Sequence, residues 1–111
     1  RWDYSPEELG LITVPFVCCS YTNSFGSLDR ESYSSVTIED ELAAERAVNE
    51  LLRLGHKRIA CLVAETDDRS ISELRYRGYL KALREHGVEP DGALVARSGS
   101  FSMEYGYRAT M

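Results

Sequence analysis

The stretch from residue 52 to residue 60 constrains the fold of this chain more than any other. An apolar helical pattern stops there at Gly55, a basic turn follows, and a buried strand begins at once. Glycine accepts the left-handed conformation that closes a helix, and cations are favoured beside a helix C-terminus. A helix that leads directly into an apolar strand is typical of a parallel sheet with helices on its faces.

Strands and helices are predicted to alternate along the rest of the chain. The apolar patterns predict strands over 12–19, 35–38, 59–64 and 93–96, helices over 41–54 and 70–86, and a third helix that begins at Met103 behind a Ser102 cap. The strand at 59–64 is apolar without interruption, as expected when both faces are covered. The predicted fold is therefore α/β, a three-layer parallel sheet flanked by helices. In such sheets ligands bind outside the carboxyl ends of the strands, here near 19–20, 64–69 and 98–101.

Charge and composition exclude several classes of function for this segment. Its net charge of −5 argues against direct nucleic-acid binding, which needs a basic surface. No apolar run approaches the roughly 18 residues that span a bilayer, so no membrane partner is expected. Three cysteines, an odd number, indicate free buried thiols and a reducing, cytoplasmic compartment.

The residues also give no support for catalysis, a metal or a cofactor. Paired Cys-x-x-Cys spacing is absent, and His56 and His86 lie far apart in sequence. Nucleophile-elbow, P-loop and dinucleotide-binding motifs are absent as well. The predicted third helix reaches the last residue, Met111, so a truncated domain is expected.

Three passages taken together resemble the effector-binding domain of the lactose-repressor/galactose-repressor family of bacterial transcription regulators. They are residues 36–40 (VTIED), residues 54–60 (LGHKRIA), and residues 75–79 (RYRGY) followed by GSFS and GY at 99–102 and 106–107. The resemblance implies a periplasmic-binding-protein-like type I fold, present here in part. Residues 1–20 would end the first lobe, 21–34 would form a crossover loop, and 35–111 would open a truncated second lobe.

The resemblance also implies ligand-binding residues. Arg75 matches the family arginine that reaches into the cleft, and Phe101 matches an aromatic residue that stacks on the ligand. Asp68 and Arg69 occupy a loop beside the cleft, and Cys19 takes the place of a usual acidic ligand contact. Each has a structural alternative: a solvated helix arginine for Arg75, a core-capping ring for Phe101, a solvated turn for the loop pair, and a buried thiol for Cys19.

Two functions are compatible with the resemblance. The first is a ligand-sensing segment of a dimeric regulator, in which a sugar, nucleobase or related metabolite controls operator DNA binding by a separate helix-turn-helix domain. The second is a periplasmic sugar-binding protein of an uptake system. The basic turn at 55–59 and the free cysteines favour the first, and neither requires catalysis.

Overall fold

A computed structural model describes residues 10–19, 34–64, 71–97 and 102–111 of the chain. The strands are β1 (Val17–Cys19), β2 (Ser34–Val36), β3 (Cys61–Val63) and β4 (Val95–Arg97), and the helices are α1 (Asp40–Arg53), α2 (Ile71–Glu85) and α3 (Met103–Thr110). No helix within these described ranges is both long and apolar enough to cross a bilayer.

The chain divides into two compact units, residues 1–38 and residues 39–111. In the first unit β1 and β2 pair in parallel, with Cys19 opposite Val36. In the second unit β3 and β4 pair in parallel, with Val63 opposite Arg97. The parallel strands confirm the predicted sheet type. Residues 35–38, predicted to open the second lobe, fall in the first unit by this division, and the lobe boundaries stay a prediction.

Both long helices end where glycine was predicted to stop them. Gly55 (φ 91°) and Gly87 (φ 66°) adopt left-handed backbone that side chains rarely accept. The N–H of His56 bonds to the carbonyl of Leu51 at 3.1 Å, and that of Gly55 bonds to Leu52 at 3.0 Å. This is the Schellman closure, and α2 repeats it around Gly87. The predicted bounds of both helices are confirmed to within one residue.

The strands are shorter than their apolar patterns predicted. The strand expected over 93–96 begins at Val95 because residues 92–94 form a 3₁₀ turn, in which the Asp91 side chain accepts a hydrogen bond from the Ala93 N–H at 2.9 Å. In β3, Val63 is buried, but Leu62 on the opposite face is 48% exposed. The expectation that both faces of this strand are covered is therefore wrong at Leu62.

The core of the second unit lies between α1, α2 and the two strands. Its members are apolar or aromatic and buried: Val48, Ile59, Tyr79, Ala82 and Leu83. Tyr79 is the polar exception, and its hydroxyl donates a hydrogen bond to the Ile59 carbonyl at 3.0 Å. This bond ties α2 to the segment that enters β3.

Replacing Tyr79 with phenylalanine is expected to lower the free energy of unfolding by about 1–2 kcal/mol, because the Ile59 carbonyl loses its buried donor. The effect should also depend on pH. Burial of the phenol raises the pKa of Tyr79, with nearby acidic groups adding to the shift. The stabilising contribution of the Tyr79 hydroxyl is therefore fully present below the pKa of tyrosine in the unfolded chain, about 10. It is lost as pH rises through the pKa of Tyr79 in the folded protein.

Urea unfolding of the wild type and of Tyr79→Phe, carried out below pH 10 and above it, checks this pH dependence. The difference in unfolding free energy between the two proteins should shrink above pH 10, and a constant difference would contradict it. Since the other titrating groups are shared by both proteins, their contributions cancel.

Candidate functional site

The structure describes two of the five predicted ligand-binding residues. Arg75 lies in α2 of the second unit. Cys19 is a free thiol at the end of β1 in the first unit, and it is exposed, so the prediction of a buried thiol is wrong at this position. Asp68, Arg69 and Phe101 lie outside the described residues. Their roles, like those of Arg75 and Cys19, stay predictions.

Arg75 is joined to Asp40 across the two long helices. The Arg75 Nε donates to Asp40 Oδ1 at 2.7 Å. The Asp40 side chain is 4% exposed, whereas the Arg75 side chain is 53% exposed. A buried carboxylate therefore holds one edge of a guanidinium that solvent still reaches. Charge-assisted hydrogen bonds of this kind are the strong ones in proteins, so the pair fixes the direction of the arginine.

Asp40 was not among the predicted site residues. It is the first residue of α1, and an acidic residue there is explained by the helix dipole alone. Its partner lies 35 residues away along the chain, so no local pattern links the two. The only signal was that both residues fall within the passages that resemble the repressor family.

Gly78 brings the two helices close enough for this pair to form. A Cβ atom at this position would overlap the Glu41 carbonyl oxygen and would lie 2.9 Å from the Glu45 backbone nitrogen. Gly78 follows Arg75 by three residues, which places both on one side of the helix. The absence of a side chain at Gly78 thus allows the contact between backbones that sets Arg75 beside Asp40.

A second cluster joins α2 to the carboxyl end of β4. The Arg97 guanidinium lies over the Tyr76 ring, with its Cζ 4.3 Å from the ring centroid. Its Nη1 is 3.7 Å from Glu73 Oε2, and the other Glu73 oxygen is 3.8 Å from the Nε of Arg77. Arg97 is the last residue of β4, so this cluster places the start of α2 at the edge of the sheet where ligands bind in parallel α/β folds.

The electrostatics of this cluster keep Arg97 charged and the neighbouring thiol neutral. The Tyr76 side chain, with Glu73, raises the pKa of Arg97. Burial raises the pKa of the Cys61 thiol, although the charge of Arg97 opposes the shift. A thiol with a raised pKa is a poor nucleophile at neutral pH. Among the described residues, no three His, Cys, Asp or Glu side chains come together to hold a metal ion.

The model of the periplasmic binding protein-like domain family matches residues 48–110 of the chain. The chain belongs to this family. The HTH-type transcriptional repressor CytR of Escherichia coli K12 is 40% identical over 75 residues, which are 68% of this chain and 21% of CytR.

Solved structures of transcription regulators have a fold similar to that of this chain. A sugar-binding transcriptional regulator of the LacI family from Escherichia coli, complexed with phosphate, superposes with a TM-score of 0.67 at 26% identity, over 92% of this chain and 34% of that one. The transcriptional regulator CelR in complex with cellobiose gives a TM-score of 0.64 at 31% identity, over 92% of this chain and 29% of that one.

The resemblance to the lactose-repressor/galactose-repressor family is thereby confirmed, as is the periplasmic-binding-protein-like fold. All three of these relatives are transcription regulators. The chain spans about a fifth of the length of CytR and about a third of the solved chains.

Proposed function

We propose that this chain is the ligand-sensing segment of a bacterial transcription regulator. In the complete protein a small-molecule effector would bind between two lobes and favour one arrangement of them. That shift in population would alter operator binding by a separate helix-turn-helix domain. The observation that carries the proposal is the half-exposed Arg75, hydrogen-bonded to the buried Asp40, in a chain whose relatives regulate transcription.

The chemistry of Arg75 suits an oxygen-rich ligand. A guanidinium presents a planar fork of donors that matches paired oxygens on a sugar, a carboxylate or a phosphate. The solved relatives bind such molecules, namely cellobiose and phosphate. Phe101 would supply a flat apolar surface for a sugar ring or a base. Asp68, Arg69 and Cys19 are the other proposed ligand contacts. We further propose that the regulator is a cytoplasmic homodimer.

Calorimetry on the intact protein tests the role of Arg75. Cellobiose, inorganic phosphate and free nucleobases serve as the first compounds to be titrated. Arg75→Lys is expected to weaken the binding of any compound that the wild type binds by at least about tenfold, because lysine keeps the charge but loses the fork. Release of labelled operator DNA by the same compound should weaken in parallel.

Arg84→Lys is the matched control, because it makes the same exchange in an exposed part of the same helix. It should leave the dissociation constant unchanged. Equal affinity of the wild type and Arg75→Lys would refute the assignment of Arg75 to the ligand site.

A further inference from the structure

Arg97 contacts α2 on both sides of Arg75. Its guanidinium lies over Tyr76, which directly follows Arg75, and its Nη1 approaches Glu73, which precedes Arg75 by two residues. The end of β4 thus holds the helical turn from which Arg75 reaches Asp40.

The ring beneath Arg97 is itself anchored in the core. Tyr76 stacks on Tyr79, with ring centroids 6.0 Å apart and an interplanar angle of 21°. Tyr79 is buried and bonded to the Ile59 carbonyl. Because the Tyr76 ring is already held in place, its attraction for the Arg97 cation is not offset by an entropy cost of ordering the ring. Glu73 adds a carboxylate that is only 16% exposed, so solvent screens this ion pair less than a surface pair.

We propose that Arg97 is a positioning residue for the ligand site: by holding Tyr76 and Glu73, it keeps Arg75 directed at Asp40 before ligand arrives. The inference rests on the proposed function only in taking Arg75 as a ligand contact. Arg97 also stands four residues before Phe101 in the sequence.

Two substitutions separate the charge of Arg97 from its bulk. Arg97→Met keeps a long flexible chain that covers the Tyr76 ring but removes the charge. Arg97→Lys keeps a cation that lies over the ring. Glu73 retains Arg77 as a charged neighbour in both variants, so the fold is expected to persist. Arg97→Gln, which also removes the charge, replaces the methionine variant if that variant does not fold.

The Arg75 Nε–Hε resonance reports the positioning without any ligand. In intact protein labelled with ¹⁵N-arginine, this resonance is identified by its disappearance in Arg75→Lys. A hydrogen bond to the buried Asp40 carboxylate should slow its exchange with water. In Arg97→Met the slowly exchanging resonance is expected to be lost. In Arg97→Lys it is expected to remain.

Arg53→Met is the control, because it breaks an arginine–glutamate pair of α1 in which both side chains are exposed. It should leave the Arg75 resonance unchanged. Retention of the resonance in Arg97→Met, or its equal loss in Arg53→Met, would overturn the positioning role. Because no ligand is used, failure of Arg75 as a ligand contact in calorimetry would leave this result standing, and the reverse also holds.

Discussion

Gly78→Ala is expected to lower the free energy of unfolding by about 2–4 kcal/mol. The added methyl group would overlap the Glu41 carbonyl oxygen and lie 2.9 Å from the Glu45 nitrogen and 3.1 Å from the Ala44 Cβ. The first two are backbone atoms of α1, so no side chain can rotate away to make room. Alanine favours a helix over glycine by about 1 kcal/mol, but this gain is smaller than the cost of separating two packed helices.

Gly106→Ala is the matched control, since Gly106 also lies within a helix, but a Cβ there would meet no atom from another part of the described chain within 4 Å. It is expected to leave stability unchanged or to raise it by up to about 1 kcal/mol. Urea unfolding of both variants checks the difference. Similar unfolding free energies for the two alanine variants would show that α1 and α2 do not meet at Gly78.

The features that could be predicted from sequence are those set by neighbouring residues. Gly55 and Gly87 end their helices through local backbone geometry, so they could be recognised without knowing what the helices touch. The Ser102 cap is local as well, and its hydroxyl accepts the Tyr105 N–H at 3.1 Å as expected. Strand ends were predicted less well, because a strand extends only as far as its partner does. The start of β4 has a different cause: Asp91 caps Ala93, so residues 92–94 form a 3₁₀ turn and the strand begins only at Val95.

The contacts that build the site could not be found in the same way. Asp40 and Arg75 meet only because α1 and α2 pack together, and that packing depends on Gly78. Considered only within its own helix, a glycine predicts lower helix stability and no close contact with another helix. The pairing of Arg97 with Tyr76 depends on the register between β4 and α2, which periodicity does not specify. Arg75 itself was identified by resemblance to a family rather than by its chemistry.

Breaking the Asp40–Arg75 pair is expected to have the second large effect. Arg75→Ala should lower the free energy of unfolding by about 1–3 kcal/mol, because the buried Asp40 carboxylate loses its arginine partner. The half-exposed position of Arg75 keeps the expected cost below that of a fully buried pair. Adding Asp40→Asn should restore most of the loss, since a neutral amide needs no counter-charge.

A double-mutant cycle measures this coupling by urea unfolding of the wild type, both single variants and the double variant. Residues in direct contact give interaction energies of about 0.5–3 kcal/mol, whereas independent sites add. Arg53→Ala provides the reference for an exposed pair. The Arg53 and Glu50 side chains are 68% and 55% exposed, although their atoms are only 2.6 Å apart. The cost of Arg53→Ala should be much smaller than that of Arg75→Ala, because solvent screens an exposed ion pair. Additive effects of Asp40→Asn and Arg75→Ala would mean that Arg75 is a solvated helix arginine after all, and that the short distance to Asp40 contributes nothing to the fold.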